Sequence, residues 1–189
     1  MRRLTAIVAA NHEGVIGAGN TLPWRIRSDM RFFRQQTTGN IVVMGRKTFD
    51  SMRRCLPDRH NIIISRRAGV ADTPDCVWRT GVFAALVAAE AAAGDEIFVI
   101  GGAEIYRQFA GLVDRYLITV VDQAVPAGDA FFDMGVIGDR AGWDISEVAA
   151  GVADAAAGDA AGYRIIELTA RDGEARRAAR RAGMMQEPI

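Results

Sequence analysis

Six apolar runs of strand length recur along this 189-residue chain, and nothing else in it constrains the fold as strongly. They cover residues 4–10, 41–44, 61–65, 96–100, 116–121 and 163–168. Most are continuous rather than alternating, as in strands buried on both faces. Helical patterns over residues 29–36, 47–52, 82–93 and 103–109 lie between several of them. Strands alternating with helices predict an α/β fold, a three-layer sandwich around a mainly parallel central sheet. No evident helix separates the last two runs, so the sheet should end in an antiparallel C-terminal edge. The length suits one domain with a sizeable core. Its boundaries are set here as a folded body over residues 1–170 and a tail over 171–189.

Charge is balanced, with 23 basic and 23 acidic residues. That gives no footprint for nucleic acid or for a membrane surface. Cys55 and Cys76 make no disulfide framework and have no metal-ligand spacing, and His12 and His60 are too isolated for a metal site. The basic pair Arg2-Arg3 is followed by a run that Asn11, His12 and Glu13 interrupt, unlike a signal peptide. No apolar segment is long enough to span a bilayer. A soluble, cytoplasmic protein is expected, with no metal. Residues 149–162, rich in Ala, Gly and Asp, read as a solvent-exposed loop joining the last two strands. Arg176, Arg177, Arg180 and Arg181 sit at helical spacing in the tail and read as a solvated or frayed helix.

The chemistry concentrates at strand ends. After the first strand comes Val15-Ile16-Gly17, then Leu22-Pro23-Trp24, then Asp29 at the start of a helix with apolar Met30, Phe32 and Phe33. Ser28 or Asp29 can serve there as an ordinary N-cap. A carboxylate among apolar neighbours can equally bind an amidine-like group or relay a proton. Ile100-Gly101-Gly102-Ala103-Glu104-Ile105-Tyr106 follows a strand and opens a helix, where paired glycines admit a ligand close to the backbone and free N–H groups meet phosphate. Met44-Gly45-Arg46-Lys47-Thr48 and Ile64-Ser65-Arg66-Arg67 add hydroxyls and cations at two more strand ends. Three such ends suggest a ligand with several phosphates, and paired arginines suit a 2′-phosphate, hence NADPH over NADH. The G-x-G-x-x-G fingerprint is missing, so a dinucleotide would be held in another layout. Arg59, in the turn before a strand, can grip an anion or bridge an acidic neighbour. Thr119, inside a buried strand, needs a partner, and Asp29 is one candidate.

Taken in order, these motifs resemble dihydrofolate reductase, over about residues 4–168. The resemblance implies an NADPH-dependent oxidoreductase that reduces 7,8-dihydrofolate to 5,6,7,8-tetrahydrofolate in one-carbon metabolism and thymidylate synthesis. It also implies a set of residue roles. Asp29 would bind the pteridine N3 and 2-amino group and promote protonation of N5. Thr119 would support it, Trp24 would order a water, and Leu22 would lie over the nicotinamide in a mobile lid spanning residues 11–24. Ile7, Val8, Met30, Phe33, Met52, Leu56 and Ile100 would wall the folate pocket, and Arg59 would hold the α-carboxylate of the glutamyl tail. Ala9, Ile16, Gly17, Gly45, Arg46, Lys47, Thr48, Ser65, Arg66, Gly101, Gly102, Ala103, Glu104, Ile105 and Tyr106 would hold NADPH, with a cis peptide between the two glycines. Antifolates such as trimethoprim or methotrexate would compete with dihydrofolate, and the enzyme would act as a monomer.

The chain departs from the family pattern in Arg53 and Cys55, near the benzoyl-glutamate rim, and in Ala130, where family members usually carry threonine. Two other readings compete. The pyrimidine reductase of riboflavin synthesis shares the architecture but does not need Leu22-Pro23-Trp24, Asp29 and Thr119. A binding module without turnover would not need a hydride donor's site beside a buried carboxylate. Consumption of NADPH in the presence of dihydrofolate separates these readings.

Overall fold

The computed structural model describes residues 1–67 and 71–187. The chain runs β1 (Arg3–Asn11), β2 (Val15–Gly17), α1 (Arg27–Thr37), β3 (Ile41–Gly45), α2 (Arg46–Met52), β4 (His60–Ile64) and β5 (Cys76–Arg79). It continues through α3 (Val82–Ala91), β6 (Glu96–Val99), α4 (Ala103–Phe109), β7 (Arg115–Val121) and β8 (Ala130–Phe131). A 3₁₀ turn at Met134–Gly138 then leads to β9 (Trp143–Gly151), β10 (Tyr163–Ala170) and α5 (Gly173–Met184). Eight strands form one sheet in the order β5-β4-β3-β6-β1-β7-β10-β9. The first six in that order pair in parallel, and β10 and β9 close the edge antiparallel, as expected.

Alternation along β1 shows how the sheet divides the core. Leu4, Ala6, Val8 and Ala10 face one way, toward Leu86 of α3 and Ile105 and Phe109 of α4. Ile7 faces the other way, with Met44, Phe98 and Leu117, toward Phe33 of α1 and Phe49 and Met52 of α2. These are the three layers. A strand period of two sends neighbouring side chains to opposite faces, so Val8 does not share a wall with Ile7, contrary to expectation.

Several local expectations need correcting. β5 has only four residues, with an apolar run of three, and the edge strand β9 is largely exposed; neither was expected as a strand. The loop expected over 149–162 therefore begins after Gly151. Helix α1 starts two residues early: its N-cap is Ile26, not Ser28 or Asp29. Cys55 and Cys76 are joined in a disulfide, with Cα atoms 6.1 Å apart. The turn before β4 brings them together: Asn61 pairs with Cys76 across β4 and β5, and its side chain accepts from Leu56 N and donates to Leu56 O.

The tail packs on the body through α5, although most of its residues stay exposed or half-exposed. Arg180 on α5 is 1% exposed. Its guanidinium donates to Leu112 O, Arg2 O and Asp114 Oδ2, while Arg176 donates to Ala110 O and Val113 O and lies 4.6 Å from the Trp143 ring centroid. Gly183 packs so closely on Phe83 of α3 that no side chain fits between. Carbonyls left free at the end of α4 and in the following turn are what these arginines satisfy. Residues 188–189 of the expected tail lie outside the described residues.

Candidate active site

Asp29 and Thr119 meet at the carboxyl ends of the central parallel strands. Thr119 Oγ1, on β7, donates to Asp29 Oδ1 at 2.6 Å. β7 pairs with β1 so that Thr119 sits opposite Ala9. The expectation that a buried threonine needs a partner is met here, and by the expected carboxylate. Burial pushes the Asp29 carboxyl above its ordinary range; the Thr119 bond pulls it down, and the negative charge of Asp159 adds to the rise. Ile7, Phe33, Met52, Leu56 and Ile100 gather in the apolar cluster on the same face of the sheet, while Met30 stands exposed at the rim. Trp24 is buried, and its Nε1 has no hydrogen-bond partner among the described residues.

Arg59 lies at the outer end of this pocket. Its guanidinium donates to Thr37 Oγ1 at 2.8 Å, Thr38 Oγ1 at 3.0 Å and Pro57 O, and stands 5.9 Å from the Phe33 ring centroid. No carboxylate among the described residues pairs with it. Partial burial and the nearby Arg34 charge lower its pKa against the opposing pull of Asp58, so an incoming carboxylate would steady the cation.

Three strand ends sit side by side, because β4, β3 and β6 are neighbours. Gly45 N donates to Gly101 O at 2.7 Å, and Ile105 fills the space a side chain at 45 would take. The peptide between Gly101 and Gly102 is cis. At Gly101, φ is +105° and a Cβ would strike the Tyr106 ring at 2.9 Å, so only glycine serves. At Gly102 a Cβ would crowd Thr48 Oγ1, which leaves a backbone surface flanked by a hydroxyl. Tyr106 donates its hydroxyl to Ile7 O at 2.7 Å. Arg66 is exposed, and the Ser65 hydroxyl accepts from Arg67 N. Arg46 is already paired with Asp50 at 2.9 Å. Arg107 and Gln108 hold the exposed Glu104 carboxylate, down at about 2, so Glu104 has only its backbone to offer phosphate.

A family model for dihydrofolate reductase matches residues 3–167. This chain belongs to the dihydrofolate reductase family. It is 43% identical over 135 residues to the dihydrofolate reductase of Neisseria meningitidis serogroup A, across 70% of this chain and 80% of that one. To the Haemophilus influenzae dihydrofolate reductase it is 38% identical over 126 residues, across 67% and 76%. The structure of Enterococcus faecalis dihydrofolate reductase complexed with NADP(H) and RAB-propyl superposes with a TM-score of 0.77 at 26% identity, covering 90% of this chain and 97% of that one. The chain is therefore an oxidoreductase of folate metabolism that reduces dihydrofolate to tetrahydrofolate with NADPH.

Sequence reasoning missed the residues that tie down the 11–24 segment and the start of α1. Asn11 Oδ1 accepts from Glu13 N and Val15 N, where the chain leaves β1. Asp129 Oδ2 accepts from Gly19 N at 3.0 Å, and Asp129 N donates to Gly17 O. Asp159 takes Ser28 N at 2.9 Å. The last two contacts span more than a hundred residues and leave no local signal. Only the turn-forming habit of Asn and Asp hinted at Asn11.

Proposed function

We propose that Asp29 is the group on which reduction turns. Its half-buried carboxylate binds the N3 and 2-amino edge of the pterin and favours the ring protonated at N5. The observation that carries this reading is the Thr119–Asp29 bond inside an otherwise apolar wall. In such surroundings a carboxylate interacts strongly with a cationic or amidine-like partner. Thr119 holds the carboxylate in register. The unpaired Trp24 Nε1 supports a role in ordering water beside the ring. Ile7, Phe33, Met52, Leu56 and Ile100 exclude bulk water from the pterin, and Arg59 takes the glutamyl α-carboxylate.

The three adjacent strand ends suit NADPH. Gly101 and Gly102 give the backbone surface, Thr48 and Ser65 the hydroxyls, and Lys47 and Arg66 the charge. When bound, NADPH supplies the hydride. The chain's own residues orient both rings, keep water out with the lid at Leu22, and hold the proton balance through Asp29. Antifolates of the trimethoprim and methotrexate type would bind at the same carboxylate. The enzyme acts as a monomer in the cytoplasm. Reducing conditions there would open the Cys55–Cys76 disulfide, so turnover should survive dithiothreitol with little change; loss of activity on reduction would contradict that location.

The test is Asp29→Asn. The purified variant should keep its NADPH affinity in a fluorescence titration and lose roughly 100-fold or more in kcat at neutral pH, the usual scale of a lost acid–base group. Near-normal turnover would remove Asp29 from the mechanism.

A further inference from the structure

Helix α1 carries Asp29 in its first turn, yet its own N-cap residue cannot cap it. Ile26 has no side-chain acceptor. The acceptor arrives from 131 residues away, where Asp159 Oδ1 takes the Ser28 N–H at 2.9 Å. Three more links tie the same stretch: Ala160 N donates to Arg25 O at 2.9 Å, Arg27 N to Gly158 O at 3.4 Å, and Ile26 bridges Asp159.

The loop that presents Asp159 is built for it. Residues 154 and 159 exchange both backbone hydrogen bonds, at 2.9 and 2.8 Å, and Asp154 Oδ1 accepts from Ala156 N and Ala157 N. Gly158 sits at φ +81°, with the Arg27 side chain across it where a Cβ would lie. Asp159 itself is 5% exposed. A segment of low complexity thus ends in a carboxylate directed at the turn that holds Asp29.

We propose that Asp159 is a positioning residue for the reaction: it caps α1 from outside, holds Asp29 against Thr119, and sets a second negative charge beside the pterin-binding carboxylate. This rests on the reading of Asp29 given above. The Asp159 charge acts on Asp29 in the direction of holding a proton, opposite to Thr119 on β7. The other ionisable or charged groups around the pair are Arg27, lying over Gly158, Arg31, which acts on Asp159 from α1, and Tyr106 of α4, kept neutral by burial. None of these replaces the Asp159 contact with the helix N-terminus. The bond to Ser28 holds Asp159 ionised, below its ordinary range, so both carboxylates meet at one helix start.

Two variants separate the cap from the charge. Asp159→Ala removes both; Asp159→Asn keeps an acceptor oxygen and removes the charge. Folate affinity by fluorescence quenching needs no turnover, and single-turnover oxidation of NADPH across pH reports the reaction. Asp159→Ala should weaken folate roughly fivefold, the scale of a lost N-cap, and slow the hydride step. Asp159→Asn should restore folate affinity and shift the pH midpoint of that step downward by roughly half a unit, as removal of one nearby negative charge requires. In an Asp29→Asn background neither change should add to the loss. If both variants only lower the melting temperature, with folate affinity and the pH midpoint unmoved, Asp159 merely holds its loop and the proposal falls. If Asp29→Asn itself leaves folate affinity and the pH profile intact, the reading of Asp29 fails and takes this proposal with it. Those two failures are read from different variants.

Discussion

At Asp29 the demands of stability and of chemistry oppose each other. Burial raises its pKa more than the Thr119 bond lowers it. A group whose folded pKa is raised contributes stability while protonated, below its unfolded value, and loses it as pH rises through the folded value. At neutral pH the ionised Asp29 is therefore a burden on the fold, of the kind that active sites commonly carry. Asp29→Asn should melt higher than the parent at pH 7, and the gap should close below about pH 4, where the unfolded carboxyl also takes its proton. Calorimetry across that range checks the sign; a variant less stable at every pH would show that the carboxylate is a net structural asset. Arg66 offers a second prediction at this scale. Arg46 is occupied by Asp50 and Arg66 is exposed, so Arg66→Ala should weaken NADPH more than NADH by roughly 10-fold, the worth of one charge-assisted bond. Equal losses for the two cofactors would give Arg66 another task. The Asp29–Thr119 pair was legible in the sequence because a hydroxyl in a buried strand demands a partner and the order of motifs pointed to Asp29. Val8 was misplaced by one residue of strand register, which is enough to reverse a face.

Among the elements, α5 departs furthest from what its sequence promised. Its arginine stripe resembles a solvated helix because arginine seldom buries its charge. The groups that receive it, the carbonyls of residues 110, 112 and 113 and the Asp114 carboxylate, are more than sixty residues away. No periodicity can report such a contact. β9 was missed for a related reason: an edge strand needs only one buried face and carries polar residues on the other. Helix α5 lies beyond the matched family range yet packs on α3 and on the turn after α4. We propose that residues 1–187 form one folding unit. Arg180→Ala leaves Asp114 with a weaker set of partners in a buried place, a loss of about 3 kcal/mol. That should lower Tm by roughly 10 °C in a chain of this length. A chain ending at Arg171 should fall further and tend to aggregate. Unchanged melting in both would return α5 to the status of an appendage.

For the whole molecule, the legible part was the order of motifs and the strand–helix alternation that places them. The layered sheet follows from it, whereas the insertion of β6 beside β3, which brings Gly101 next to Gly45, is a strand order that alternation leaves open. What stayed hidden were the long-range ties of the segment after β1 and of α1, made by Asp129 and Asp159, because side chains that meet across the fold share no local pattern. The proposed geometry sets a pterin edge on Asp29, with the nicotinamide beside it at the ends of β1 and β6. A crystal structure of the enzyme with NADP⁺ and folate tests this most directly. The account predicts both Asp29 carboxylate oxygens within hydrogen-bond distance of the pterin N3 and 2-amino group, and the 2′-phosphate beside Arg66. A pterin bound elsewhere, or turned so that Asp29 faces no ring nitrogen, would contradict it.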